Sequence, residues 1–198
     1  MGREFELKYR ATPEQQQAIQ KELGGVFSAI AMETTYFDTP DRRLAAQKVT
    51  LRCRLENGTA VCTVKTPGDT RGRGEWETPC CDIMDAIPML CKLGCPAWLE
   101  EATKAGVEPV CGARFTRQAA QIVLPDVTAE LALDRGILMG GGREEDLCEV
   151  EVELKSGSEE TLEKWAGEFA ARFGLVPERK SKFRRALALA EGEKNGSI

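Results

Sequence analysis

The sequence contains no histidine. That removes the commonest general base near neutral pH and the commonest transition-metal ligand. Its eight cysteines include no C-x-x-C pair, so the spacing writes neither a zinc ribbon nor a thioredoxin-like redox motif. Cys91 and Cys95 can share a helix face, but two thiols do not make a zinc site. They and the adjacent Cys80-Cys81 read as reduced thiols packing like small apolar side chains. No apolar run is long enough to span a bilayer, and the N-terminus has no signal-peptide core; the expectation is a cytoplasmic chain without a membrane partner. The net charge of −5 excludes a molecule built as a whole to attract polyanions, and no nucleic-acid partner is expected. What is left for chemistry is carboxylates, Lys, Arg, Tyr and a hard cation that prefers oxygen, Mg²⁺ or Mn²⁺.

What the chain does have is alternation. Glu4-Phe5-Glu6-Leu7-Lys8 places charge on one strand face and apolar groups on the other. Residues 49–55 and 59–65 flank Asn57-Gly58, a type I′ hairpin signal. A two-residue turn there pairs Glu56 with Thr59, Arg54 with Val61 and Arg52 with Thr63. Arg52, Arg54 and Lys65 then share a face. Residues 115–124 and 127–137 flank Pro125-Asp126, and the same rule sets Glu130 opposite Gln121, Ala132 opposite Ala119 and Asp134 opposite Arg117. Glu149-Val150-Glu151-Val152-Glu153-Leu154 stacks three acids on one face. Residues 31–39 read as a further strand.

Helices are predicted at 13–23, started by Thr12-Pro13 and ended by Gly24-Gly25, and at 159–173, where Leu162, Trp165, Ala166, Phe169 and Phe173 form an apolar stripe. Residues 82–106 read as short helical pieces broken by Pro88, Gly94 and Pro96, packed outside a sheet. Gly140-Gly141-Gly142 reads as a flexible loop between strands, since it matches no phosphate-binding fingerprint. The basic run from Arg179 enters a short helix whose Arg184 and Arg185 read as a surface face. Residues 1–191 form one domain, and 192–198 are expected to fray as a tail.

Charge is segregated by strand: cations on 52–65, acids on 149–153, a mixture on 4–8 and 117–134. Acids stacked on one face repel unless a cation or facing Arg and Lys offsets them. A sheet curled with its charged faces inward meets that need, with the apolar faces outward under the helices. The expected fold is α+β: a closed barrel with a charged interior and helices outside.

These residues resemble the CYTH domain, the triphosphate tunnel metalloenzymes, and the resemblance implies that the barrel is an eight-stranded antiparallel one forming a tunnel. Glu4-Phe5-Glu6-Leu7-Lys8 is similar to the E-x-E-x-K signature. The likeness continues through Tyr36-Phe37-Asp38-Thr39-Pro40, Leu51-Arg52-Cys53-Arg54, Thr63-Val64-Lys65, Arg73-Gly74-Glu75, Arg117, Glu130, Asp134, residues 149–153 and Ser181-Lys182. Among members it most resembles the bacterial inorganic triphosphatases. The resemblance implies divalent-metal-dependent hydrolysis of a triphosphate, inorganic tripolyphosphate first, to pyrophosphate and phosphate. Thiamine triphosphatase and class IV adenylate cyclase are the alternatives within the family, and a non-catalytic polyphosphate-binding module is the alternative outside enzymes. Lys8, Arg52, Arg54, Lys65, Arg117 and Lys182 are implied to bind the triphosphate, and Glu4, Glu6, Asp134, Glu149 and Glu151 the metal. Glu4, Glu6 and Lys8 are implied in catalysis, and Glu75, Glu130 and Glu153 organise the cations. The partner is a small anion, and the chain is a monomer or homodimer. Ala119 departs from the pattern, where a Lys is expected, and removes one cation from the clamp.

Overall fold

The computed structural model describes residues 5–24, 27–67 and 74–192. Glu4, the Gly25 half of the predicted Gly-Gly stop, the loop 68–73 and the tail 193–198 lie outside them. In chain order the elements are β1 (Glu6–Arg10), α1 (Pro13–Leu23), β2 (Ser28–Asp38), α2 (Arg43–Ala46), β3 (Thr50–Glu56), β4 (Thr59–Lys65), β5 (Glu75–Pro79), α3 (Ile83–Lys92), α4 (Trp98–Ala102), β6 (Glu108–Leu124), β7 (Val127–Gly140), β8 (Arg143–Gly157), α5 (Glu159–Phe173), β9 (Val176–Pro177) and α6 (Lys182–Glu191). No helix among the described residues is long and apolar enough to cross a membrane.

The architecture is α+β around one antiparallel sheet, in the order β5-β4-β3-β2-β6-β7-β8-β1-β9. Both hairpin registers follow their turns: Arg54 faces Val61 and Arg52 faces Thr63, while Arg117 faces Asp134 and Gln121 faces Glu130. The sheet differs from the expected barrel in two respects. It has nine strands, because the short β9 adds to β1, and among the described residues no ladder joins β5 to β1 or β9. The strands curl around their charged face without closing a continuous hydrogen-bonded ring.

Period-two alternation puts the apolar faces outward, where helices cover them. The stripe of α5 (Leu162, Ala166, Phe169) and Ile19 of α1 pack on Leu131, Leu133, Val150 and Val152. At the other end of the sheet, Ile83, Ile87 and Leu90 of α3 and Leu99 of α4 pack on Leu51, Cys62 and Val64. The caps follow from sequence. Thr12 and Gln15 form a reciprocal capping box on α1, Pro13 opens it, and Gly24 ends it at φ 53°. Ser158 opens α5 by accepting from the Thr161 amide, and Gly174 ends it at φ 64°.

The last helix departs from the outside-only arrangement. Ala186 and Leu189 of α6 pack with Met32, Tyr36, Ala113, Phe115, Leu138 and Leu147. Leu138 and Leu147 lie on the same strand faces as Asp134 and Glu149, so α6 sits on the charged, concave side and fills one end of it. Gly140 permits this approach: a Cβ there would lie 2.3 Å from the Ala186 carbonyl oxygen. Gly141 and Gly142, at φ 58° and 71°, form a tight two-residue hairpin turn instead of a flexible loop. Arg184 is exposed as expected, but Arg185 is only 4% exposed and faces the sheet.

Candidate active site

The concave face encloses a cavity of about 410 Å³ reached by side chains of β1 to β8 and the start of α6. Seven carboxylates and seven cations line it, so its wall is close to neutral as a whole and polar only by segregation. Strand register does the sorting. On β1 and β8, Glu6 faces Glu153 and Lys8 faces Glu151. Across the cavity, Arg52 and Arg54 sit two residues apart on β3, and Lys65 on β4 faces Glu75 on β5.

The floor is a buried ion network. Oxygens of Asp134, Glu149 and Glu151 lie within 4.8 Å of one another, a spacing that suits a cation, and the ammonium of Lys182 reaches all three. Its Nζ is 2.9 Å from Asp134, 2.7 Å from Glu149 and 2.5 Å from Glu151. Arg117 donates through Nε and Nη2 to both oxygens of Asp134, at 2.8 and 2.7 Å, and also to Glu151. Arg185 donates to Glu149 and to Glu145. From the far side of the sheet Gln16 of α1 donates to the main-chain oxygens of Asp134 (3.1 Å) and Glu149 (2.9 Å), which fixes β7 against β8 beneath these carboxylates. Ser181 caps α6 by accepting from the Arg184 amide, and that cap aims Lys182 and Arg185 at the acids. The network holds together because each buried charge has a partner.

Protonation follows from these contacts. Burial raises the Glu151 carboxyl, but Lys182 and Arg117 outweigh it and hold the group well below the usual carboxylate range. Burial lowers the Lys182 ammonium, but Glu151, Asp134 and Glu149 outweigh it, and the net shift is upward. Glu6 goes the other way: burial first, then the neighbouring Glu151 charge, push it up to about 8. Glu6 and Glu151 hydrogen-bond side chain to side chain, so the pair holds one proton between them at neutral pH.

The opposite wall has donors to spare. Arg52 Nε is buried and has no hydrogen-bond partner among the described residues. Its Nη2 is 3.8 Å from Glu75 and 3.7 Å from Glu77, too far for hydrogen bonds. Among the described residues Arg54 has only Thr34 Oγ1 at 3.3 Å and Glu56 at 3.6 Å. Burial and then the Arg52 charge lower the Arg54 pKa, the signature of two guanidiniums held together without a full counter-charge. Arg117 Nη1, 3.8 Å from Glu130, is likewise unfilled. Lys65 pairs with Glu75 at 3.0 Å, and Glu153 with Lys155 at 2.7 Å.

Of the residues singled out from sequence, Glu6, Lys8, Arg52, Arg54, Lys65, Arg117, Glu151 and Lys182 converge on the cavity with Glu75, Glu130 and Glu153. Asp134 and Glu149 lie beneath it, 0% and 1% exposed, and Glu4 is outside the described residues. Ala119 lies between Ser28 and Ala132 and adds no cation of its own; along that rung the cation is Lys8, beyond Glu151. Sequence reasoning missed Arg185 and Gln16, which hold the floor, and Tyr36, buried against Phe183 with ring centroids 5.0 Å apart. The i, i+3 spacing of Lys182 and Arg185 was the available signal for Arg185.

The profile of the CYTH domain family matches residues 2–187. An inorganic triphosphatase of Haemophilus influenzae is 31% identical over 132 residues, covering 65% of this chain and 37% of that relative; the match therefore spans just over a third of the relative's length. Among solved structures, a putative adenylyl cyclase from Hippeastrum, described as having dominant triphosphatase activity, superposes with a TM-score of 0.67 at 18% identity. It covers 96% of this chain and 97% of its own. The PH1819 protein of Pyrococcus horikoshii superposes with a TM-score of 0.61 at 23% identity, covering 94% and 99%. These likenesses carry the fold, and the profile match over nearly the whole sequence carries the family: the chain belongs to the CYTH domain family.

Proposed function

We propose that this protein hydrolyses a triphosphate, with inorganic tripolyphosphate as the substrate: water adds across the terminal P–O–P link and releases phosphate and pyrophosphate. One observation carries the reading. Arg52 and Arg54 are half-buried with unfilled donors across a cavity from Glu6 and Glu151, two carboxylates that share a proton. The first wall has N–H groups to spare for phosphate oxygens, and on the second a proton stands between two carboxylates where a cation would fit; a metal-triphosphate complex brings both.

A divalent cation fits the donor set at Glu6 and Glu151. Both are hard oxygen donors, and the proton they share stands where a cation would relieve their repulsion. Glu153 and Glu130 line the same part of the cavity, and Glu4 belongs to the set expected from sequence. Asp134 and Glu149 were expected as ligands too. With Lys182 among them, their part in this reading is to hold the ammonium and Arg117 in place. When bound, Mg²⁺ or Mn²⁺ supplies neutralisation of the charge on the phosphate oxygens. The chain's own residues do the rest. Arg52, Arg54 and Arg117 offer planar pairs of N–H groups to phosphate oxygens. Lys8, Lys65 and Lys182 add point charges. Glu6 orients the attacking water on the acid side, in line with a leaving group held on the cation side.

The test is incubation with Mg²⁺ or Mn²⁺ and, separately, tripolyphosphate, thiamine triphosphate and ATP, measuring phosphate, pyrophosphate and cyclic AMP. Phosphate released fastest from tripolyphosphate is expected. Cyclic AMP with pyrophosphate from ATP would replace the reading with a cyclase, and binding without turnover would replace it with a polyphosphate-binding module.

A further inference from the structure

A second cavity of about 370 Å³ abuts the first, and the two share Lys8, Thr50, Ser181 and Phe183 as a common wall. Its chemistry is different. Lys8, Lys48, Arg179 and Arg184 line it, and no carboxylate does among the described residues. Lys48 comes from the α2–β3 turn, Arg179 from the segment between β9 and α6, and Arg184 from the first turn of α6. Three separate elements thus deliver cations to one hollow. Lys48, Arg179 and Arg184 make no ion pair among the described residues. In the first cavity acids and cations match, so an anion there needs a metal to balance the acids. The second hollow has an uncompensated positive wall and needs none.

We propose that this hollow is a metal-independent subsite for the phosphates of a linear polyphosphate beyond the third, so that the protein takes linear chains of four or more phosphates in preference to tripolyphosphate. The inference rests on the triphosphatase reading for the first cavity. Lys8 stands in the wall between the two, in reach of both, and a chain running from the Arg52–Arg54 wall past Lys8 emerges among Lys48, Arg179 and Arg184. Each turnover adds one water across the terminal P–O–P link, giving phosphate and a chain one phosphate shorter. Tetrapolyphosphate thus becomes tripolyphosphate, itself a substrate. Cations of this exposure contribute modestly one by one, and three together amount to about a tenfold preference at low salt.

The experiment compares wild type with a Lys48→Ala, Arg179→Ala, Arg184→Ala triple variant, none of whose positions serves the first cavity. With Mg²⁺ and low salt, wild type is expected to show a KM about tenfold lower for linear tetrapolyphosphate than for tripolyphosphate. The triple variant is expected to lose that advantage and keep its kcat and KM on tripolyphosphate. Equal changes on both substrates, or none on either, would overturn the proposal. Calorimetric titration of both polyphosphates in EDTA reads the subsite without turnover. Tighter metal-free binding of the longer chain, lost in the triple variant, supports the subsite even if neither substrate is hydrolysed, a result that would sink the triphosphatase reading alone. Identical metal-free binding of the two chains would sink the subsite while leaving that reading intact.

Discussion

Replacing Glu6 by Gln separates stability from activity at this site. In the metal-free protein Glu6 binds its proton up to about pH 8, against a usual 4.5. A carboxyl whose folded pKa is raised contributes stability that is fully present below the unfolded value and is lost as pH rises through the folded one. The window is therefore about pH 4.5 to 8. At about 1.4 kcal/mol per unit the ceiling is roughly 5 kcal/mol. Glu151, held down by Lys182 and Arg117, changes stability only below the usual carboxylate value, outside this window; from pH 6 upward about two pH units of the Glu6 window remain, so roughly 2–3 kcal/mol is the expected loss. Gln keeps the size and one N–H to donate to Glu151 at every pH. The assay is thermal unfolding from pH 6 to 9 in EDTA, then with saturating Mg²⁺. Wild type should lose stability across this range in EDTA and regain about 2.7 kcal/mol with metal at a hundred times its dissociation constant. Glu6→Gln should be flat with pH, gain little from Mg²⁺, and lose triphosphatase turnover. A flat wild-type profile, or a variant that falls in parallel with it, would refute the shared-proton account.

Removing Lys182 as Lys182→Met should destabilise the fold by about 3–5 kcal/mol, because Asp134, Glu149 and Glu151 stay buried with one fewer partner; chemical denaturation of the metal-free protein at neutral pH reads it. Arg54→Ala should lower kcat/KM on tripolyphosphate by roughly a hundredfold, about 3 kcal/mol. Its unfolding midpoint should hold or rise, since a guanidinium crowded by Arg52 is removed; a large loss of stability would mean Arg54 is a structural residue.

The two hairpins show which parts of this structure are legible in the sequence. Asn57-Gly58 and Pro125-Asp126 set registers that the ladders reproduce pair by pair, because a two-residue turn leaves no freedom of slip and the side-chain period of a strand is two. Once register is fixed, Arg52 with Arg54, and Glu149 with Glu151 and Glu153, follow onto the face that encloses the cavity. The placement of α6 is not written locally. Its apolar positions Ala186 and Leu189 announce one buried face, but an amphipathic helix carries no statement of which sheet surface it meets. That surface depends on Gly140, 46 residues before Ala186, where the missing side chain opens the approach. For the same reason Arg185 reads as surface, and the approach of Lys182 to Asp134 and Glu149 is not written in the strands. Closure is also non-local: it turns on how β5 and β9 end, not on any alternation.

The position of α6 has a consequence for how the chain is made. β7 and β8 are complete by residue 157, and at that point Asp134, Glu149 and Glu151 face one another with Arg117 bonded to two of the three. The ammonium and guanidinium that neutralise them arrive with residues 182 and 185, in a helix that follows every strand of the sheet in chain order. Until then like charges at close range oppose burial of the floor. Full packing of the central strands is therefore expected to wait for α6. Assembly of the site is tied to the docking of that helix, and a chain truncated before Lys182 is expected to lack both.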